Sequence, residues 1–201
     1  AIWQLEGGIL MDTGESDGPV FKRQAWVGLD GSLGRLVIGR SFTTTYELVI
    51  KFDPLGFAPN YSWATGASAT GPSKYGMTTQ FDNLVKYTGK SGGFTYGATI
   101  GLGERSGSLA EGRKLAMGGS WFGEGGLGLM ASYERINGNA VAGVPARDET
   151  TAYHLAADYQ TGKWRYTAGM RGYKLDAARA SADLRADTYW GGISRTIDDV
   201  T

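Results

Sequence analysis

The chain has 201 residues, with 20 basic and 20 acidic side chains and no cysteine. The balanced charge excludes the positive field expected of a nucleic-acid-binding protein. The missing cysteine excludes disulfides, thiolate metal sites and a cysteine nucleophile. The 33 glycines and the 12% share of aromatic residues are typical of a β-rich protein with many turns.

Short stretches of alternating apolar and polar residues recur along the chain, which is the pattern of β-strands with two different faces. The clearest lies at 93–102, where Phe94, Tyr96 and Ile100 share one face and Thr95 and Thr99 share the other. In chain order the predicted strands are 1–11, 22–29, 35–40, 79–88, 93–102, 114–122, 127–133, 151–159, 163–173 and 187–197.

The connections between these strands alternate in length. Those after residues 29, 88, 122 and 159 are short, and those after residues 11, 40, 102, 133 and 173 are long. A transmembrane barrel with tight turns at one rim and long loops at the other has this rhythm, and strands of about 8 to 11 residues are long enough to cross a membrane at a tilt. The pattern therefore favours an all-β, antiparallel transmembrane barrel, although alternation alone leaves open which face is the interior.

Residues 41–78 interrupt this pattern. The segment contains Pro54, Pro59 and Pro72 and has no sustained period of two or of 3.6. A structureless connection of this length inside a domain is uncommon unless it is functional. We interpret it as a long loop that folds into the lumen of the barrel and narrows a pore.

Several segments are similar to the general-porin family of Gram-negative outer membranes, in particular its β-proteobacterial members. They are FKRQAWVGL at 21–29, LGRLVIGR at 33–40, AIWQLE at 1–6, FDPLG at 52–56 and DNLVKY at 82–87. The last two resemble the constriction loop of the family and the strand that follows it. The resemblance covers nearly the whole chain.

The resemblance implies a passive diffusion channel, not an enzyme, for ions and small hydrophilic solutes. The expected location is the outer membrane, among lipid and lipopolysaccharide. It further implies a homotrimer of barrels with about 16 strands each. Residues 1–201 would then form one partial barrel domain of about ten strands, lacking the first pair and the last four. No cofactor is expected.

The candidate pore residues follow from strand parity and from the resemblance. Arg23 and Lys86 on the wall, with Glu47, Asp53 and Lys51 on the loop, are the predicted constriction residues. Acids on the loop that face bases on the wall would produce a field across the pore. A second role remains open for Glu47 and Asp53, which is to hold the loop to the wall.

Further residues complete the predicted wall. Gln80, Arg165 and Arg171 are the other predicted pore-lining residues. Arg40 is assigned either to a subunit contact or to the base of the loop. His154 is the only histidine, which excludes a site with several histidine ligands, and no metal site is expected.

Two other classes of protein remain as alternatives. One is a soluble carbohydrate-binding β-sandwich, in which exposed aromatic side chains would stack on sugars. The other is an outer-membrane barrel enzyme with a Ser/His/Asp set at its rim. His154 lies in the middle of a predicted strand without an evident serine neighbour, which disfavours the enzyme.

Overall fold

A computed structural model describes residues 1–58, 62, 78–103, 111–138, 148–178 and 182–197. The strands in this part of the chain are β1 Ile2–Glu6, β2 Gln24–Gly31, β3 Gly34–Phe42, β4 Gln80–Ser91, β5 Phe94–Gly101, β6 Lys114–Phe122, β7 Leu127–Asn137, β8 Glu149–Thr161, β9 Trp164–Asp176 and β10 Leu184–Arg195. The predicted all-β fold is confirmed, with the strands in the predicted order. The first strand is shorter than predicted and ends before Gly7 and Gly8.

Each strand pairs antiparallel with the next one along the chain, giving a single sheet in the order β1 to β10. The short connections join β2 to β3, β4 to β5, β6 to β7 and β8 to β9. Because successive strands alternate in direction, these turns lie along one edge of the sheet, and the strand ends that lead into the long connections lie along the other, as predicted. Within the described residues β1 and β10 do not pair with each other, so the sheet is not closed.

One face of the sheet, called the outer face below, carries the exposed apolar rows. Phe94, Tyr96 and Ile100 are 58%, 46% and 44% exposed. Leu129 and Leu155 lie on the same face and are exposed to a similar extent. The prediction that these rows point away from the protein interior is confirmed. An apolar surface this continuous needs a partner phase or molecule to cover it.

The opposite, inner face is covered by the chain that follows β3, called the inner segment below (residues 43–58). It begins with helix α1 (Thr44–Val49) and continues as a 3-10 helix over Ile50–Phe52. Thr43 caps the helix, because its hydroxyl accepts the Tyr46 N–H at 3.0 Å. The sequence did not predict this helix, since six residues are too few to establish a helical period. Residues 59–61 and 63–77 of the predicted loop lie outside the described residues.

The inner segment is held to the sheet by an apolar cluster. Its buried members are Leu48, Val49, Phe52, Met130 and Ala156. The Phe52 ring also stacks on the Phe122 ring at the end of β6, with centroids 5.3 Å apart. A second buried cluster of the inner face contains Val37, Phe81, Leu84 and Ala116.

Phe81 lies on the inner face, although strict alternation from Val85 and Tyr87 along the predicted strand would place it on the apolar outer row. Between the pairs Gly39 with Leu84 and Ser41 with Phe81, β4 contains one residue more than β3. Asn83 has a φ of 48° within this bulge. An extra residue reverses the alternation beyond it, so Phe81 turns to the inner face and is fully buried.

Candidate functional site

A cavity of about 590 Å³ lies between the inner face of β1–β5 and helix α1. Its charged lining residues are Asp30, Arg35, Glu47, Lys51, Lys86 and Lys90. Asp30 pairs with Arg35 at 2.9 Å, and Glu47 pairs with Lys86 at 2.6 Å. In the described part of the chain no carboxylate forms an ion pair with Lys51 or Lys90. The lining therefore carries an excess of positive charge.

Arg23 lies directly before β2 and reaches the inner side of the sheet. Its guanidinium pairs with the Glu6 carboxylate, which also accepts the Gln24 amide at 2.6 Å. Burial raises the pKa of the Tyr46 phenol and the positive charge of Arg23 opposes that rise, so Arg23 is within electrostatic range of helix α1. A role for Arg23 in the constriction remains a prediction.

Arg23 was predicted to face inward because its parity is opposite to that of Trp26, but Trp26 itself lies on the inner face. Val27 and Leu29 are each 63% exposed on the outer face, whereas Trp26 lines the cavity. The indole N–H of Trp26 donates to the Gln24 amide oxygen at 3.1 Å. A tryptophan can face either phase, and here the inner face supplies an acceptor for its N–H. Arg23 precedes the strand, so strand alternation does not fix its direction.

Lys86 of β4 is buried under the start of the inner segment. Its ammonium donates to Glu47 Oε1 at 2.6 Å, to the Phe42 carbonyl at 3.1 Å and to Ser41 Oγ at 3.2 Å. These contacts use all three donors of the ammonium. Of the two roles left open for Glu47, the geometry favours attachment of the loop to the wall.

Thr99 of β5 makes a second attachment, which the sequence analysis missed. Its hydroxyl accepts the Thr44 N–H at 3.0 Å and lies 2.8 Å from the Thr44 hydroxyl. This contact satisfies a free N–H in the first turn of α1. The available signal was the position of Thr99 on the polar face of the clearest predicted strand.

Asp53 organises the end of the inner segment and does not face the cavity. Its buried carboxylate accepts the Leu55 N–H at 3.0 Å, the Phe57 N–H at 2.9 Å and the Ser62 hydroxyl at 2.5 Å. These bonds tie the turn after Pro54 to a single side chain. The geometry favours a structural role for Asp53 over contact with permeating ions.

Lys51 and Arg165 are brought together at the far end of the inner segment. Arg165 of β9 donates to the backbone carbonyl of Lys51, and its Nε donates to Asp158 Oδ2 at 2.5 Å. Thr167 also donates to Asp158, at 2.8 Å. Arg165 is thereby fixed at the loop, whereas the exposed ammonium of Lys51 faces the cavity.

A buried polar group occupies the inner face of β7–β9. Ser132 Oγ lies 3.1 Å from His154 Nδ1, and the register pairs His154 with Arg171. Arg171 is 2% exposed, packs its guanidinium 4.8 Å from the Tyr173 ring and interacts electrostatically with Glu134. The serine neighbour of His154 was missed because it comes from the adjacent strand. Burial favours a role for Arg171 inside the wall, and its pore-lining role remains a prediction.

The remaining two candidates lie near the bulge in β4. Arg40 pairs with Asp82 and donates to the Lys22 carbonyl, which places it at the base of the inner segment. Gln80 is half-buried opposite Phe42. The bulge reverses the parity on which its assignment to the pore depended, so a pore-lining role for Gln80 has lost that support.

The described residues contain no group of three or more His, Asp or Glu side chains placed to hold a metal ion. They also contain no helix with both the length and the apolar character needed to span a membrane.

Comparison with known proteins agrees with this arrangement. Residues 1–201 match the family described as Gram-negative porin. Outer membrane porin protein 32 of Delftia acidovorans is 27% identical over 208 residues, covering 98% of this chain and 56% of that protein. The chain thus spans little more than half the length of this curated relative.

Two solved structures are similar to the fold. The anion-selective porin from Comamonas acidovorans has a TM-score of 0.79 at 22% identity, covering 98% of this chain and 59% of that one. A loop L8 deletion mutant of OmpT, an outer membrane protein of Vibrio cholerae, has a TM-score of 0.65 at 17% identity, covering 94% and 60%.

A single antiparallel sheet with an apolar outer face and a charged, loop-covered inner face is similar to the wall of a porin barrel. The chain belongs to the Gram-negative porin family. Its cellular location is accordingly the outer membrane. The family points to a channel and not to an enzyme, and a soluble sandwich is ruled out as the fold.

Proposed function

We propose that the protein forms a water-filled channel through which ions and small hydrophilic solutes diffuse passively across the outer membrane. The observation that carries this proposal is the contrast between the two faces of one sheet, apolar and exposed outside, polar and charged inside. Residues 41–78 act as the constriction loop, because their described part lies against the inner face. Lys86 and Glu47 fix the start of that loop.

The channel is proposed to favour anions. Asp30 and Glu47 are each paired with a base, which leaves Lys51 and Lys90 as the uncompensated charges of the cavity. Basic side chains around a pore attract anions and repel cations. The Comamonas acidovorans relative is named an anion-selective porin, which is consistent with this sign.

We also propose that the chain assembles as a homotrimer surrounded by lipid and lipopolysaccharide. An apolar groove on the outer face of β1–β3 supports a contact between copies. It is lined by Trp3, Leu5, Val27 and Ile38. Trp3 is 71% exposed, so the groove is open to a partner.

Reversal potentials in planar bilayers test the channel and its selectivity. Under a potassium chloride gradient, the wild type is expected to show discrete conductance steps and a chloride preference. Replacing the two cavity lysines that form no ion pair, Lys51→Gln with Lys90→Gln, removes the uncompensated charge, so the chloride-to-potassium permeability ratio should fall toward one. Lys174→Gln is the matched control, because Lys174 is paired with Asp176 at 2.6 Å near the end of β9 and does not line the cavity.

Two results would contradict these assignments. A membrane-inserted wild type without conductance steps would refute the channel. A permeability ratio that stays at the wild-type value in the double variant would refute Lys51 and Lys90 as the selective charges.

A further inference from the structure

The inner segment ends against β10 in two contacts that the proposed function does not use. Trp190 Nε1 donates to the Phe52 carbonyl at 2.8 Å, and its ring packs against the apolar cluster around Phe52. The neighbouring carbonyl, that of Lys51, accepts from Arg165 of β9. Two successive carbonyls of the loop are thus held by donors on two adjacent strands.

The second contact is between Gly192 and Pro54. A Cβ atom at position 192 would lie 2.3 Å from Pro54 Cβ and 2.8 Å from Pro54 Cγ. Non-bonded carbon atoms require about 3.5 to 4.0 Å. The loop therefore approaches β10 as closely as it does only because residue 192 has no side chain.

Trp190 and Gly192 lie two residues apart and so share the inner face of β10. Tyr189 and Gly191 have the opposite parity, and Tyr189 is 72% exposed on the outer face. A Cβ atom at Gly191 would meet only the Thr167 carbonyl oxygen, at 3.6 Å. The strand thus offers an outer-face neighbour as a control for each inner-face residue.

We propose that Trp190 and Gly192 are positioning residues that set how far the loop projects into the channel. The hydrogen bond from Trp190 holds the Phe52 carbonyl at the wall. The missing side chain at Gly192 leaves room for Pro54 beside β10. The distance from this end of the loop to β10 then limits the open width. The inference rests on the proposed channel function and adds a residue-level determinant of its width.

Single-channel recording of alanine variants of the full-length protein gives the first test. Gly192→Ala would push Pro54 from the wall by about 1.5 Å toward the channel, so a loss of single-channel conductance is expected. Gly191→Ala adds the same methyl group on the outer face, and its conductance should equal that of the wild type. Equal conductance of Gly192→Ala and the wild type would overturn the proposal.

A second pair of variants tests the hydrogen bond and does not add volume. Trp190→Phe keeps an aromatic ring but removes the donor to the Phe52 carbonyl, so the loop end should move more and the open-channel current noise should rise. Tyr189→Phe is the control, and its open-channel current noise should equal that of the wild type. Noise in Trp190→Phe at the wild-type level would overturn the role of Trp190.

Different results would refute the channel function and the positioning role of Trp190 and Gly192. If the wild type itself does not conduct, the channel function is refuted, and the positioning role with it. If the wild type conducts and the inner-face variants match their outer-face controls, the positioning role alone is refuted. If Gly192→Ala does not assemble, Trp190→Phe alone decides the outcome.

Discussion

Replacing Phe52 with alanine is expected to release the inner segment from the sheet. Phe52 is fully buried, stacks on Phe122 and belongs to the apolar cluster that joins α1 to β7 and β8. A Phe→Ala change in a packed core costs about 3 to 5 kcal/mol. Because no strand pairing depends on this side chain, the loss should appear as local opening of the segment and not as unfolding of the sheet.

Hydrogen exchange of the protein in lipid measures this opening directly. A loss of about 3 kcal/mol corresponds to roughly a hundredfold faster exchange of the α1 amides in Phe52→Ala. The amides of β7 and β8 should keep their wild-type protection. Phe94→Ala removes a ring of the same size from the outer face, where Phe94 is 58% exposed, and should leave α1 exchange unchanged.

Two results would contradict this view of the segment. Unchanged α1 exchange in Phe52→Ala would show that the apolar cluster does not hold the loop. Equal acceleration in α1 and in the strands would show that the loop and the sheet open as one unit.

Glu47→Ala is expected to lower the free energy of unfolding more than Lys86→Met does, although each removes one partner of the same ion pair. The Lys86 side chain is 5% exposed and that of Glu47 is 42% exposed. Without Glu47, a buried ammonium keeps only the neutral oxygens of Ser41 and Phe42, at a cost of about 3 kcal/mol. Without Lys86, the Glu47 carboxylate can turn to water and Ser41 keeps its contact with Gln24. The Phe42 carbonyl loses one donor, so Lys86→Met should cost about 1 to 2 kcal/mol.

The double variant Glu47→Ala with Lys86→Met provides the decisive comparison. It removes the buried charge together with its partner, so it should be more stable than Glu47→Ala alone when urea unfolding is followed in detergent micelles. Additive losses from the two single changes would contradict the account, because they would mean that the buried ammonium is not the source of the cost.

The strands could be predicted because one side of the sheet meets an apolar phase and the other meets polar groups. Because of this contrast, apolar and polar residues alternate with a period of two in the sequence, most clearly around Phe94, Tyr96 and Ile100. The alternation of short and long connections gave the order of the hairpins. Both signals are local, so a single sequence contains them.

The predicted facing was wrong for residues that do not follow the rule that apolar side chains point outward. Trp26 lies inside because an amphipathic indole finds an acceptor on Gln24. Phe81 lies inside because a bulge inserts one residue into β4. Hydrophobicity alone shows neither effect, since both residues have large aromatic side chains.

Most contacts that attach the loop to the wall could not be predicted from the sequence. Glu47 and Lys86 were both identified, but their direct contact depends on the register of β4 beneath α1. Trp190 and Phe52 are separated by 138 positions, and Arg165 and Lys51 by 114. Contacts of this kind are set by the whole sheet, and no local motif marks them.

If the outer face meets lipid and the inner face meets water, single cysteines on the two faces should differ in their access to water-soluble reagents. The chain has no cysteine, so Thr95→Cys on the cavity lining and Leu155→Cys on the outer face can each be labelled alone. In intact membranes, a charged water-soluble thiol reagent should label Thr95→Cys and spare Leu155→Cys, whereas a quencher dissolved in the acyl chains should reach only a fluorophore at position 155. Rapid aqueous labelling of Leu155→Cys, with Thr95→Cys protected, would contradict the account.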